Sequence, residues 1–247
     1  MVSAVAVLLI TVGCADIVRR LTARTWAAAL AAVLAAPGTA ALCGLWRLGD
    51  VLLIGIVAVS AAGWELACAH AERVGGRRQL APLVLFVAVI AVLVLLSGLG
   101  SPVGGPIRAW STWATLPGFD ALDPGRVVMV VGVVLLQLVT GNQLVRLLLG
   151  SVGAVKPAGE PQPSDRLKGG RLLGPMERLL ILGLSLAGQL TAATAVVAAK
   201  SIIRFPEINA QKVRDNGGIG IDDVTEYFLV GSFASWIVAL GGLALAQ

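Results

Sequence analysis

The sequence predicts an all-α fold, a polytopic bundle of transmembrane helices, and three observations carry that reading. Hydrophobic residues make up 57% of the chain and charged residues only 13%, about half the charged share of a soluble globular domain. Mean hydropathy is +0.88. The apolar residues fall in runs of around twenty without period-two alternation. Lipid accepts only segments that satisfy their own backbone groups, so these runs read as helices and not as strands of a closed barrel.

The net charge of +5 is not a nucleic-acid footprint, because Lys and Arg gather in short segments between apolar runs, where they set topology. The expected partner is the lipid bilayer, and no nucleic acid is expected. Cys14, Cys43 and Cys68 each fall inside an apolar run with no CxxC spacing, which fits neither a disulfide framework nor a zinc site. His70 is the sole histidine and has no second imidazole to share a metal with. No metal and no cofactor are expected.

Taken in order, the first apolar run, Val2 to Val18, has no basic residue before it and is read as a retained span, followed by Arg19, Arg20 and Arg24. Asp16 near its end is read as locally paired. The second span, Trp26 to Trp46, contains Pro37-Gly38, which should kink it or split it into two halves. Arg47 and Asp50 form a brief turn. The third span, Val51 to Ala69, holds Glu65 close to its end, with Cys68 and Glu72 on a nearby face. After Arg73, Arg77 and Arg78 comes Leu80 to Leu99, an uninterrupted apolar fourth span.

The segment that follows, with Pro102, Gly104, Gly105, Pro106, Trp110, Trp113 and Pro117, is too rich in Pro and Gly for a regular helix. Its tryptophans favour the headgroup layer, which predicts an interfacial or re-entrant loop on the outer side. The fifth span, Arg126 to Leu149, has a polar second half carrying Gln137, Thr140, Asn142, Gln143 and Arg146. Polar groups at that depth face neighbouring helices.

The sixth span is expected to run as one helix from Gly174 to Lys200, nearly 40 Å at roughly 1.5 Å per residue. It carries Glu177, Arg178, Gln189 and Lys200. Two intervals of eleven residues separate Arg178, Gln189 and Lys200, and eleven residues make almost a whole number of turns, so the three should share a face with Ser185. Gln189, near the middle of such a helix, reaches neither surface and should bond to another helix or line a wet cavity. The seventh span, Tyr227 to Leu245, contains Gly231 and Ser235 in a small-xxx-small arrangement.

These elements divide the chain into a five-helix region at 1–150, a polar linker at 151–171 and a two-helix region at 172–247, with a charged loop at 201–226. The basic set lies in the odd-numbered loops, which places them in the cytoplasm. Seven spans with the N-terminus outside and the C-terminus cytoplasmic satisfy the rule, except that Lys200, Arg204, Lys212 and Arg214 are then stranded outside. Six spans, with Val2 to Val18 lying in the interface or Pro37 splitting a hairpin, are the alternative.

Gly174, Glu177-Arg178, Gln189, Ala198-Ala199-Lys200-Ser201, Arg204-Phe205, Glu226-Tyr227 and Gly231 resemble the C-terminal part of an uncharacterised bacterial multi-spanning membrane family known only as a domain of unknown function. The resemblance covers about the last third of the chain. It implies a fold, a set of positions and a bacterial cytoplasmic membrane, and no reaction. Relatives begin with a His and an Asp in their first membrane segment, whereas Val12-Gly13-Cys14-Ala15-Asp16 keeps only the acid, so no role that needs that His carries over.

Three functions fit the polar positions. The first is a passage or binding cavity for a small solute or ion, lined by Gln189, Ser185, Thr191, Gln137, Asn142 and Arg146, with Arg146 and Arg178 able to form a two-arginine anion site. The second is an assembly or regulatory subunit that binds another membrane protein or another copy of itself. The third is a membrane enzyme acting on a lipid headgroup, with Glu177 or Glu226 as base and Lys200 or Arg204 on phosphate; it lacks a paired-acid motif, a His cluster and a Gly-rich phosphate loop. The bland alternative is that Glu177, Arg178, Lys200 and Arg204 sit at helix ends and snorkel to water.

Overall fold

A helix that is apolar on every face needs neighbours on every face, and the first helix of this chain has them. The computed structural model describes residues 3–22, 24–114, 123–155, 170–199, 202 and 221–247. Among these the fold is all-α, without a strand. Helix α1, Ser3–Thr22, buries almost every residue from Ser3 to Asp16. It runs through the middle of the bundle against α2 (Thr25–Cys43), α3 (Leu48–Val74), α4 (Leu80–Leu95) and α6 (Pro124–Leu135).

Small residues make this enclosure tight. Along α2, Ala28, Ala32, Ala36 and Ala40 recur at every fourth position and are all buried, a stripe that lets two helix backbones approach closely. Pro37 and Gly38 lie on the exposed side of α2. The expected split into two halves does not occur: α2 continues to Cys43, with the exposed Pro37 removing only one backbone hydrogen bond. The crossing of α1 with α6 is closer still. A Cβ on Gly13 would stand 2.9 Å from the Cβ of Leu135, and one on Gly132 would stand 3.0 Å from the Cβ of Leu9.

One end of the bundle is tied by Asp50, which is buried. Its carboxylate accepts from the backbone N–H of Arg47 (3.0 Å), capping α3, and from that of Ser101 (2.7 Å). The Ser3 hydroxyl donates to the Ser101 carbonyl at 3.1 Å, so α1, α3 and the loop after α4 meet here. That loop is more ordered than its composition predicts. Gly105–Trp113 form helix α5, since Pro106 sits in the first turn, where a missing N–H costs nothing. Gly44 (φ 66°) and Gly105 (φ 58°) meet backbone to backbone, leaving 2.7 Å between a Cβ on Gly44 and the nitrogen of Gly105. Trp113 projects outward at 79% exposure.

After α6 the rod continues through a π-helical turn, Leu136–Thr140, into α7, Gly141–Ser151. The chain resumes in α8 (Gly170–Leu186), α9 (Leu190–Ala199) and α10 (Ile221–Ala246). The direction of α10 follows from its contacts. Gly231 lies on Leu149, Gln137 bonds to the carbonyl of Val238, and Gly242 faces Val133, so α10 is antiparallel to the α6–α7 rod. It begins at the end of the bundle where α7 finishes and ends where α1 begins.

Among the described residues, five stretches are long and apolar enough to cross a membrane: Thr25–Cys43, Leu48–Val74, Gly76–Leu95, Pro124–Ser151 and Glu226–Ala246. Replacing Gly132 by Val should destabilise the bundle by roughly 1–3 kcal/mol, since the added Cβ also meets the Ala6 carbonyl at 3.1 Å. By contrast, Gly38→Ala, which enters open space, should stabilise α2 by roughly 0.5–1 kcal/mol. Denaturant titration in detergent micelles compares the two.

Candidate functional site

The π turn is where the two halves of the bundle meet. A π turn closes i→i+5 bonds in place of i→i+4, which leaves carbonyls with capacity for outside donors. Two arginines from different helices use them. Arg178 of α8, only 1% exposed, donates from Nε (3.1 Å) and Nη2 (2.8 Å) to the carbonyl of Gln137. Its Nη2 also reaches Asn142 Oδ1 at 2.7 Å, and its Nη1 reaches Ser235 Oγ of α10 at 3.1 Å. Arg20 of α1 donates to the carbonyl of Val139 at 2.6 Å.

Glycines open the space for these groups. A Cβ on Gly141 would stand 3.0 Å from Arg178 Nε, and one on Gly242 would collide with the Gln137 amide. That amide, fully buried, donates to the carbonyl of Val238 at 3.1 Å. Beside Arg178, the buried Glu177 accepts from Trp236 Nε1 at 3.0 Å. The four hydrogen bonds of Arg178 thus end on three oxygens, all of neutral groups, a fork geometry that suits guanidinium and not ammonium.

A second cluster adjoins the first through α1. Asp16 and Glu65 are both fully buried, and Arg19 lies between them, 2.6 Å from Asp16 Oδ1 and 3.4 Å from Glu65 Oε2. The Arg19 side chain is 14% exposed. The side chains of Thr140, on the π turn, and Trp64 also face Asp16. At the rim, Gln143 Nε2 donates to Glu72 Oε1 at 2.8 Å. The two clusters form one polar seam near the end of the bundle that carries the Arg73, Arg77 and Arg78 loop.

The structure gathers some of the sequence-predicted positions and disperses others. Gln137, Asn142 and Arg178 come together, with Glu177 alongside. Arg146, one turn past Asn142, is exposed, and Arg178 has its donors turned into the seam, so the two-arginine site does not form. Glu226 is exposed near the start of α10. Lys200 and Arg204 lie outside the described residues.

Gln189 is a correction. The expected single helix from Gly174 to Lys200 stops at Leu186, because Gly188 adopts φ 77° and closes a Schellman turn: Gly188 N–H donates to Ser185 O (3.0 Å) and Gln189 N–H to Leu184 O (2.8 Å). Gln189 is thereby exposed outside both helices, and Thr191 is exposed as well. The eleven-residue spacing loses its meaning once the helix it assumes is broken. Sequence reasoning passed over Asp16, Arg19 and Glu65 as a unit, although each is a charge inside or bordering an apolar run. It also read Ser235 for packing when it accepts from Arg178.

Among the described residues no group of three or more His, Cys, Asp or Glu side chains could hold a metal, and Cys14, Cys43 and Cys68 are free thiols. No protein-family model, curated protein or solved structure matches the chain. What the seam can do chemically is hold charge and hydrogen-bonding capacity inside an apolar bundle. Replacing Arg178 with Met should cost roughly 1–3 kcal/mol by leaving buried acceptors unmet, and Arg178→Lys should not restore it. Gln189→Leu should leave stability within about 0.5 kcal/mol. Detergent-denaturation midpoints report all three.

Proposed function

We propose that the chain is a multi-pass membrane protein whose polar seam binds or passes a small solute or ion. One observation carries this reading: Asp16, Glu65 and Arg178 are buried inside a bundle whose outer faces are apolar. Charges at such positions are costly, and in membrane helices they mark binding sites, relays and pathways. Arg178 is tied to neutral acceptors and serves as frame. The Asp16–Arg19–Glu65 group, reaching the rim through the partly exposed Arg19, is the part that can engage a ligand.

The topology we propose has six crossings: α1, α2, α3, the Gly76–Leu95 rod, the Pro124–Ser151 rod and α10. Helices α8 and α9, of 17 and 10 residues, span roughly 25 and 15 Å at 1.5 Å per residue, and each is shorter than a hydrocarbon core of about 30 Å. Ile181 and Leu184 of α8 share an apolar cluster with Ala193 and Val197 of α9 and Ala239 of α10, which supports a segment that enters the bundle without crossing it. The basic end is cytoplasmic and both termini are outside. Under this arrangement the charged stretch 201–226 falls on the cytoplasmic side, which removes the exception that a seven-span count leaves in the distribution of Lys and Arg.

Two experiments test this. A C-terminal alkaline phosphatase fusion should be active and a C-terminal green fluorescent protein fusion dark; fluorescence would overturn the topology. Purified protein in liposomes should give solute-dependent flux with at least one member of a panel of inorganic ions and small carboxylates, reduced at least tenfold in Arg19→Gln. A silent panel removes the passage reading.

A further inference from the structure

We propose that Asp16 and Glu65 form a proton-binding dyad, a pair of carboxyl groups that share one exchangeable proton beneath Arg19. The proposal names the ion for the seam described above and rests on that reading for its purpose, though not for its chemistry.

The geometry is specific. Both carboxyl groups are fully buried, they face one another, and each contacts the same guanidinium, at 2.6 and 3.4 Å. As carboxylates, both are acceptors only. Asp16 Oδ2 and both oxygens of Glu65 accordingly lack a hydrogen-bond donor among the described residues. One proton placed between them converts two facing acceptors into a donor and an acceptor. The Thr140 hydroxyl and the Trp64 indole N–H, both buried, face Asp16; as donors they favour a carboxylate there, which leaves the proton on the Glu65 side of the pair.

Charge counting agrees with the geometry. Inside the cluster two carboxylates face one guanidinium, an excess of one negative charge, and an uncompensated buried charge is too costly to keep where a proton can neutralise it. One further cation faces the pair among the described residues: Arg20 of α1 lies toward Asp16 but is exposed, where water and salt screen its charge. From α3, Glu72 is exposed and of the opposite sign to Arg20, and Cys68 is an uncharged buried thiol. Gln143 of α7 and Thr140 are neutral. Helices α2 and α4 carry no charged side chain along their lengths, and α6 has only Arg126 at its far end. The proton comes from water at the rim beside Arg19 and returns there.

Infrared spectroscopy of the purified full-length protein reads the carbonyl stretch of a protonated carboxyl directly. Folded wild-type protein at neutral pH should show such a band, it should shift in heavy water, and it should move when aspartate and glutamate are carbon-13 labelled. Asp16→Asn and Glu65→Gln each leave one carboxylate against Arg19, so each should lose the band. Absence of the band in folded wild-type protein overturns the dyad without any variant having to fold, and so does a band that survives either substitution. Flux in liposomes does not enter this reading, so the dyad and the passage can fail separately.

Discussion

A guanidinium enclosed by apolar helices has to be met by acceptors, and in this bundle the carbonyls of the π turn meet the buried Arg178 and, at the rim, the exposed Arg20. Arg178 reaches the carbonyl of Gln137 from α8, and Arg20 reaches that of Val139 from α1. The polar groups of the seam are arranged around this turn. Asn142 and Ser235 complete the Arg178 fork, Gln137 crosses to α10, and Thr140 looks toward Asp16. Removing water leaves each of these groups dependent on the others, so the turn joins α1 and α3 on one side to α8 and α10 on the other.

The seam contains two kinds of group. Arg178 bonds carbonyl, amide and hydroxyl oxygens, none of which changes charge in any ordinary range of pH. Asp16 and Glu65 are acids. The first set holds the helices in place through any change of proton occupancy, and the second can respond to one. A fixed frame beside a responsive pair is the arrangement that a site for a small ion requires, because the ion must bind without dismantling what surrounds it.

Much of the fold was legible in the sequence. Apolar run lengths gave the helices, and the polar second half of Arg126 to Leu149 marked the turn that became the hub. Three features were hidden for physical reasons. Gly188 ends α8, but one glycine in an apolar run reads as a packing residue unless its φ is known, and so Gln189 seemed buried. The sense of α10 depends on which residues it touches, which periodicity does not encode. The Asp16–Arg19–Glu65 group joins residues from two helices; only the Asp16–Arg19 half, three residues apart, leaves a local trace.

The π turn also bears on what changes in length the chain tolerates. Relative to an α-helix it takes up one additional residue. Excising one amino acid between Leu136 and Thr140 would restore ordinary winding and leave α7 facing nearly the same way, because the turn already accommodates the surplus residue. What would change is the supply of acceptors: carbonyls drawn back into i→i+4 bonds would no longer be offered to Arg178 and Arg20. A deletion that leaves both hydropathy and helix phase untouched would therefore strip two guanidinium groups of their partners.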